Sequence, residues 1–364
     1  MQQDTTNRSN IVGGQTAIIM QPSQSHALAW SPDGEQIAVA TLGADVNIWN
    51  IKERKLTRTL KLNRRGQARA IAYSPDGRYL AAGPSTIIVW DAHTGEMKAE
   101  IVAPFVKDPA IPQDTSVTSL VFSPDSQTLA ATFGGRMPKR GVVLYRVATG
   151  ELVKILEQPP TPLGLITAKL AFSPDGQYLV NARSVITVGG VEGGMDTRSM
   201  IDVWQVMTGD LKTIKQVHVD DITALAMARE GAIVATGTTT GGRKSYRNLT
   251  TNTWTMIKNN DPIKLWDIKQ GVLIKELTGV HTRTQELDFS PDGKHLVSCH
   301  RDEVSKGETI WLWEISSAKV IRKFKTSDRA TYAGVHDCAF SPDGSRIAAV
   351  GADELILIEL NSAQ

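Results

Sequence analysis

Cysteine is scarce in this chain: 364 residues contain two, Cys299 and Cys338. They stand far apart, match no zinc-ligand spacing and are too few for a disulfide framework, so both are expected to be reduced thiols. Net charge is nearly absent too. Forty Lys and Arg oppose thirty-eight Asp and Glu, a formal +2, which creates no global field toward nucleic acid or an anionic membrane; such a partner would need a local patch. No apolar run is long enough to cross a bilayer. The opening MQQDTTNRSNIVGGQ has neither the basic start nor the apolar core of a secretory signal, so the expected location is cytoplasmic. A Walker-type phosphate loop is also missing: Gly241-Gly242-Arg243-Lys244 lacks the preceding glycine and the strand-to-helix setting, and reads as a hairpin tip. Asn248-Leu249-Thr250 is a glycosylation sequon by pattern, without meaning in a chain that is not secreted.

One turn, by contrast, is abundant. Ser-Pro-Asp-Gly starts at Ser31, Ser74, Ser173, Ser290 and Ser341. Ser123-Pro124-Asp125-Ser126 loses only the glycine, and Ala228-Arg229-Glu230-Gly231 keeps only that. Serine suits the first position of a type I turn, proline presets φ at the second and glycine tolerates the conformation at the end, so each copy predicts a tight hairpin connection. A short apolar strand precedes every turn, as in Leu28-Ala29-Trp30 and Leu120-Val121-Phe122. A second strand comes next, then a third marked by a large residue: Trp49, Trp90, Tyr145, Trp204, Trp266, Trp313 and Ile358. A fixed unit repeated seven times is the signature of a repeat architecture.

Val89-Trp90-Asp91 and Leu265-Trp266-Asp267 resemble the WD-repeat propeller family, and the likeness covers nearly the whole chain, although the other units relax the aspartate. The resemblance implies an all-β, seven-bladed β-propeller of four-stranded antiparallel blades around a channel. The last unit ends without a fourth strand, while residues 16–20, Thr-Ala-Ile-Ile-Met, form an unpaired strand ahead of the first. Their pairing would close the ring. Residues 1–364 are then expected to be one domain, with 1–14 a flexible tail.

In this family a histidine ahead of a blade bonds a second-strand hydroxyl and supports the third-strand tryptophan. The matching residues are His281, Ser298 and Trp313 in the sixth unit, and His218, Thr236 and Trp266 in the fifth, where a long insertion displaces the family's aspartate. Ser298 has no nucleophile-elbow context, so the trio is expected to be structural. No catalytic residue, metal site or cofactor is expected, and the chain is not expected to be an enzyme. Lys169, Glu286, Asp288 and Asp337 interrupt innermost-strand positions that are alanine or serine in other units; they are expected to face a wet channel or pair across it, and leave open a small-ligand or catalytic site there.

Unit length varies in one place. The segment between second and third strands grows in units three to six, on the rim that the family resemblance implies is the top. Loops on a rigid scaffold often carry function, so this crown is the expected binding surface. The third-unit loop brings Arg136, Lys139 and Arg140; the fifth, spanning 237–262, brings Arg243, Lys244, Tyr246, Arg247 and Trp254; the sixth brings Arg301. Arginine beside aromatic residues is the composition of interface hot spots. The expected function is therefore a protein-interaction scaffold or adaptor, within a multisubunit assembly. Nucleic-acid binding through the third and fifth loops is the alternative, disfavoured by a patchy rather than continuous basic track.

Overall fold

The computed structural model describes residues 16–20, 24–43, 45–62, 67–104, 116–134, 141–158, 165–188, 195–218, 220–229, 231–239, 243–248, 253–258, 261–301, 308–325, 334–351 and 354–360. Every element among them is a strand. Seven four-stranded antiparallel sheets stand as blades of a propeller, and we label the strands of each blade a to d from the channel outward. Blade one, for instance, is Ser25–Trp30, Gln36–Thr41, Asp45–Asn50 and Lys55–Lys61. Strand a descends from the top rim to the Ser-Pro-Asp-Gly turn at the bottom, and strand b climbs back.

The turn is tied by its own side chains. Ser31 Oγ donates to Asp33 Oδ1 at 2.5 Å, the Glu35 amide donates to the same oxygen at 2.9 Å, and the Gln36 amide donates to Ser31 Oγ at 2.9 Å. The same bonds recur at Ser74, Ser123, Ser173, Ser290 and Ser341. Gly34 takes φ of 73° and its counterparts similar values, a region glycine enters at little cost. Ser126, which replaces glycine in blade three, accepts the strain at φ 61° and receives the Asp76 amide of blade two at 3.1 Å.

Seven buried apolar clusters alternate with the seven blades, each built from two neighbouring sheets. The ring is thus held by lateral packing, because strands of different blades do not pair. Closure obeys the same logic. Thr16–Met20 pairs antiparallel with Glu354–Glu359, Thr16 opposite Ile358 and Met20 opposite Glu354, and supplies the fourth strand of blade seven. Blades seven and one then share a cluster in which Val350 and Leu355 meet Trp30 and Trp49. Cys299 and Cys338 lie buried as free thiols in the cluster between blades six and seven.

The described parts of the insertions of blades four and five are strands. In blade four, strands Tyr178–Val188 and Met195–Gln205 stay paired along eleven residues each. In blade five the insertion contains its own hairpin, Arg243–Asn248 against Thr253–Lys258.

Candidate functional site

The polar trio of blade six is assembled with a different histidine from the expected one. Trp313 Nε1 donates to Ser298 Oγ at 2.8 Å, and Ser298 Oγ lies 2.8 Å from His300 Nε2. His281 is exposed. The physical reason is strand period: His300 stands two residues beyond Ser298 on strand b, so both side chains share one face inside the protein. Burial pushes the His300 imidazole down to about 3, leaving it neutral.

Blade five holds a fuller set. Trp266 Nε1 donates to Thr236 Oγ1 at 3.2 Å, Thr236 Oγ1 lies 2.7 Å from His218 Nε2, and His218 Nδ1 faces Asp261 Oδ2 at 3.0 Å. The long insertion therefore does not displace the aspartate; Asp261 stands at its far end. Lys264 Nζ approaches Asp261 Oδ1 at 3.0 Å. Burial alone would raise this carboxyl, but His218 and Lys264 outweigh it and hold it at about 2. In both blades these groups brace the sheet, and the hydroxyls of Ser298 and Thr236 are committed to these bonds.

The channel charges are likewise engaged. Lys169 of blade four reaches past blade five to an ion pair with Glu286 of blade six. Asp337 Oδ2 accepts the Leu28 amide of blade one at 2.8 Å, and Asp288 Oδ2 accepts the Phe340 amide of blade seven at 2.8 Å. These carboxylates act as clasps between blades, as do Ser119 toward the Leu170 amide and Thr223 toward the Thr284 carbonyl. Among the described residues no group of three or more His, Cys, Asp or Glu is placed to hold a metal.

Of the expected crown, Arg136, Lys139 and Arg140 lie outside the described residues. Arg243, Lys244, Tyr246, Arg247 and Trp254 are on the blade-five hairpin, with Arg247 opposite Trp254 in register. Arg301 is the only one of the set whose side-chain environment is described. It ends strand b of blade six, directly opposite Arg283 at the top of strand a.

Around Arg301 the top mouth of the channel gathers basic groups that the sequence pattern does not single out. His26 and His336 occupy corresponding bulges near the start of strand a in blades one and seven, where register shifts between Ser25 and Ala27 and between Val335 and Asp337. A bulge re-aims the extra side chain, and here the two rings meet edge-on with centroids 4.8 Å apart. Burial, then the neighbouring His26, Arg301 and Arg283, depress His336 to about 4. Burial and Arg69 lower His26. Three arginines and two histidines from blades one, two, six and seven thus lie near one rim. With both histidines held toward the neutral form, the positive charge at this rim is that of the arginines.

A family model for the WD domain, G-beta repeat, matches residues 54–91, 272–314 and 319–358. The chain is 35% identical over 101 residues to mouse (Mus musculus) WD repeat and SOCS box-containing protein 1 and 34% identical to the human (Homo sapiens) form; each match covers 28% of this chain and 22% of the relative. A longer likeness, 22% identical over 330 residues, joins it to the Periodic tryptophan protein 2 homolog of Dictyostelium discoideum, covering 88% of this chain and 32% of that protein. The chain thus spans about a fifth to a third of the length of the curated relatives it matches.

Proposed function

We propose that this chain, which is a seven-bladed WD-repeat β-propeller, is a non-enzymatic protein-interaction adaptor that docks an acidic partner segment on its top face. The observation that carries this is the grouping of Arg69, Arg283 and Arg301 around the neutral His26–His336 pair at one mouth of the channel. A scaffold held by seven lateral cores is rigid, so these groups are positioned before a partner arrives and binding costs little ordering. The extended hairpin of blade five and the long ribbon of blade four belong to the same rim and widen the surface. The polar sets of blades five and six are occupied in bracing the sheets, and the channel carboxylates in clasping neighbours, which supports binding over catalysis.

The test uses the full chain as bait in its native host, in parallel with an Arg283→Glu, Arg301→Glu variant. A protein retained by the wild type and lost by the variant is expected, with association that slows as salt rises. Retention of nucleic acid instead, with steep salt dependence, would shift the function to the alternative. Equal protein retention by both forms would refute docking at the top mouth.

A further inference from the structure

Among the described residues, the bottom face carries turn-to-turn contacts at five of the joints between blades and an opening between blades four and five. At most joints the proline of one blade's turn lies against the glycine of the next. A Cβ at Gly77 would lie 3.9 Å from Pro32 Cδ, at Gly176 3.6 Å from Pro124, at Gly344 3.2 Å from Pro291 and at Gly34 3.6 Å from Pro342. Between blades two and three the Asp76 amide bonds Ser126 instead. Between blades four and five the contact is missing: a Cβ at Gly231 would meet nothing within 4 Å. The sequence explains the gap. Blade five has Ala228-Arg229 where the other turns have Ser-Pro, so it lacks both the hydroxyl that ties the turn and the ring that fixes φ.

The gap is a hollow of about 250 Å³ lined by Pro174, Asp175, Tyr178, Arg229, Gly231 and Lys269. Two cations enter it from one blade. Arg229 stands in the turn itself and Lys269 in the connection between strands c and d; both are exposed, and neither forms an ion pair with another described residue. Lys269 Nζ sits 5.9 Å from the centre of the Tyr178 ring. The acid in the lining, Asp175, is already engaged: Oδ1 receives Ser173 Oγ at 2.5 Å and the Gln177 amide at 3.0 Å, and the Ser173 bond above all holds its carboxyl below the usual range. The composition of the turn also changes here. All seven turns carry an acid in the third position, with Glu230 standing for aspartate in blade five, but this turn alone adds a cation, Arg229, in the slot that is proline in the other six. Glu230 itself lies outside the described residues.

We infer that this hollow docks one anionic side chain, a carboxylate or a phosphate, carried on an extended segment of a protein partner. Its volume falls below the ~300 Å³ at which pockets enclose whole small-molecule ligands, and suits a single side chain. Arg229 supplies a planar fork of donors and Lys269 a mobile point charge, the two usual means of holding such groups. Tyr178 offers an aromatic wall for the neighbouring residue. The site is on the face opposite the top mouth, so it adds a second contact to the adaptor and stands or falls independently of the first.

The experiment measures fluorescence anisotropy of two labelled peptides on the full-length chain. The peptides are identical except for one central residue, glutamate in one and phosphoserine in the other, in an otherwise neutral context. Arg229→Ser with Lys269→Ser is expected to weaken binding at least tenfold, and millimolar inorganic phosphate to displace the peptide, while Arg283→Glu at the top mouth changes affinity less than twofold. Arg229→Pro restores the repeat's own turn residue while removing the cation, so it should fold and still lose binding. Preference for one peptide identifies the source of the anion. The inference is overturned if the wild type binds neither peptide at millimolar concentration. It is equally overturned if the double variant binds like wild type, or if only Arg283→Glu abolishes binding.

Discussion

Asp288 offers a direct measurement of what a channel clasp costs. Its carboxylate accepts the Phe340 amide across the joint between blades six and seven, and burial pushes its pKa up to about 7, with Glu286 adding repulsion and Phe340 and Arg229 opposing. In the unfolded chain the group titrates near 3.8. The folded pKa is the higher one, so the native state binds the proton more tightly. The stability this contributes is fully present below about pH 4 and is lost as pH rises through about 7. Three pH units at about 1.36 kcal/mol each set an upper bound of about 4 kcal/mol. Because the side chain is only half-buried and faces the channel, solvent screening reduces the expectation to about 2 kcal/mol. Asp288→Asn keeps an oxygen to accept the Phe340 amide and removes the titration. Urea unfolding of both proteins from pH 4 to pH 8.5 should therefore show the variant gaining about 2 kcal/mol relative to wild type between pH 4 and 7, then a constant difference. Stability curves that stay parallel within about 0.5 kcal/mol over that window would refute the clasp argument.

His300→Ala should lower stability by about 2 to 3 kcal/mol, because it removes a buried ring and orphans Ser298, whereas the exposed His281→Ala should stay within about 0.5 kcal/mol by the same denaturation assay. Deleting residues 1–22 should uncover the Glu354–Glu359 edge and drive self-association, read by light scattering after size exclusion; a monomer of unchanged stability would contradict closure through that strand. Once a top-face partner is identified, Trp254→Ala should cost about 2 kcal/mol of binding if the blade-five hairpin anchors it, measured by calorimetry. Reversing Glu96 and Lys98, a bottom-rim pair 3.2 Å apart, should leave that affinity unchanged.

Architecture was legible because its signals are local. The turn, the alternation on either side and the third-strand aromatic each lie within a few residues, and repetition removes the usual ambiguity of short apolar runs. Residues 16–20 are readable as the missing strand because the repeat has a count. Position within a blade is harder. His281 occupies the family's slot in sequence, yet the bond to Ser298 is made by His300, a choice set by which histidine the sheet buries. The top mouth leaves little linear trace, since Arg69, His26, His336 and Arg283 come from four blades. Their one sequence signal is position, each within two residues of the start of an innermost strand. The blade-four insertion looks in sequence like a glycine-rich loop around 188–194, while its flanks, rich in Val, Ile and Thr, continue the strands.

Blade five departs from the repeat in two ways at once, and a third feature answers them. It has lost the Ser-Pro of the bottom turn, so its inner hairpin lacks the hydroxyl bonds that tie the other six turns. It also carries the longest insertion between strands b and c, which separates the two strands whose pairing defines the blade. The first change loosens the turn between strands a and b, and the second the junction of strands b and c. In compensation, this blade holds the Asp261–His218–Thr236–Trp266 chain, which links the connection before strand a, strand b, the far end of the insertion and strand c. Lys264 adds a bond to the Val217 carbonyl at 3.1 Å, tying the same connection again. The polar chain therefore fixes strand c against strand b where the insertion would otherwise free it. This division of labour lets one blade present variable surface on both rims, a hairpin above and a cationic hollow below, while its middle stays rigid.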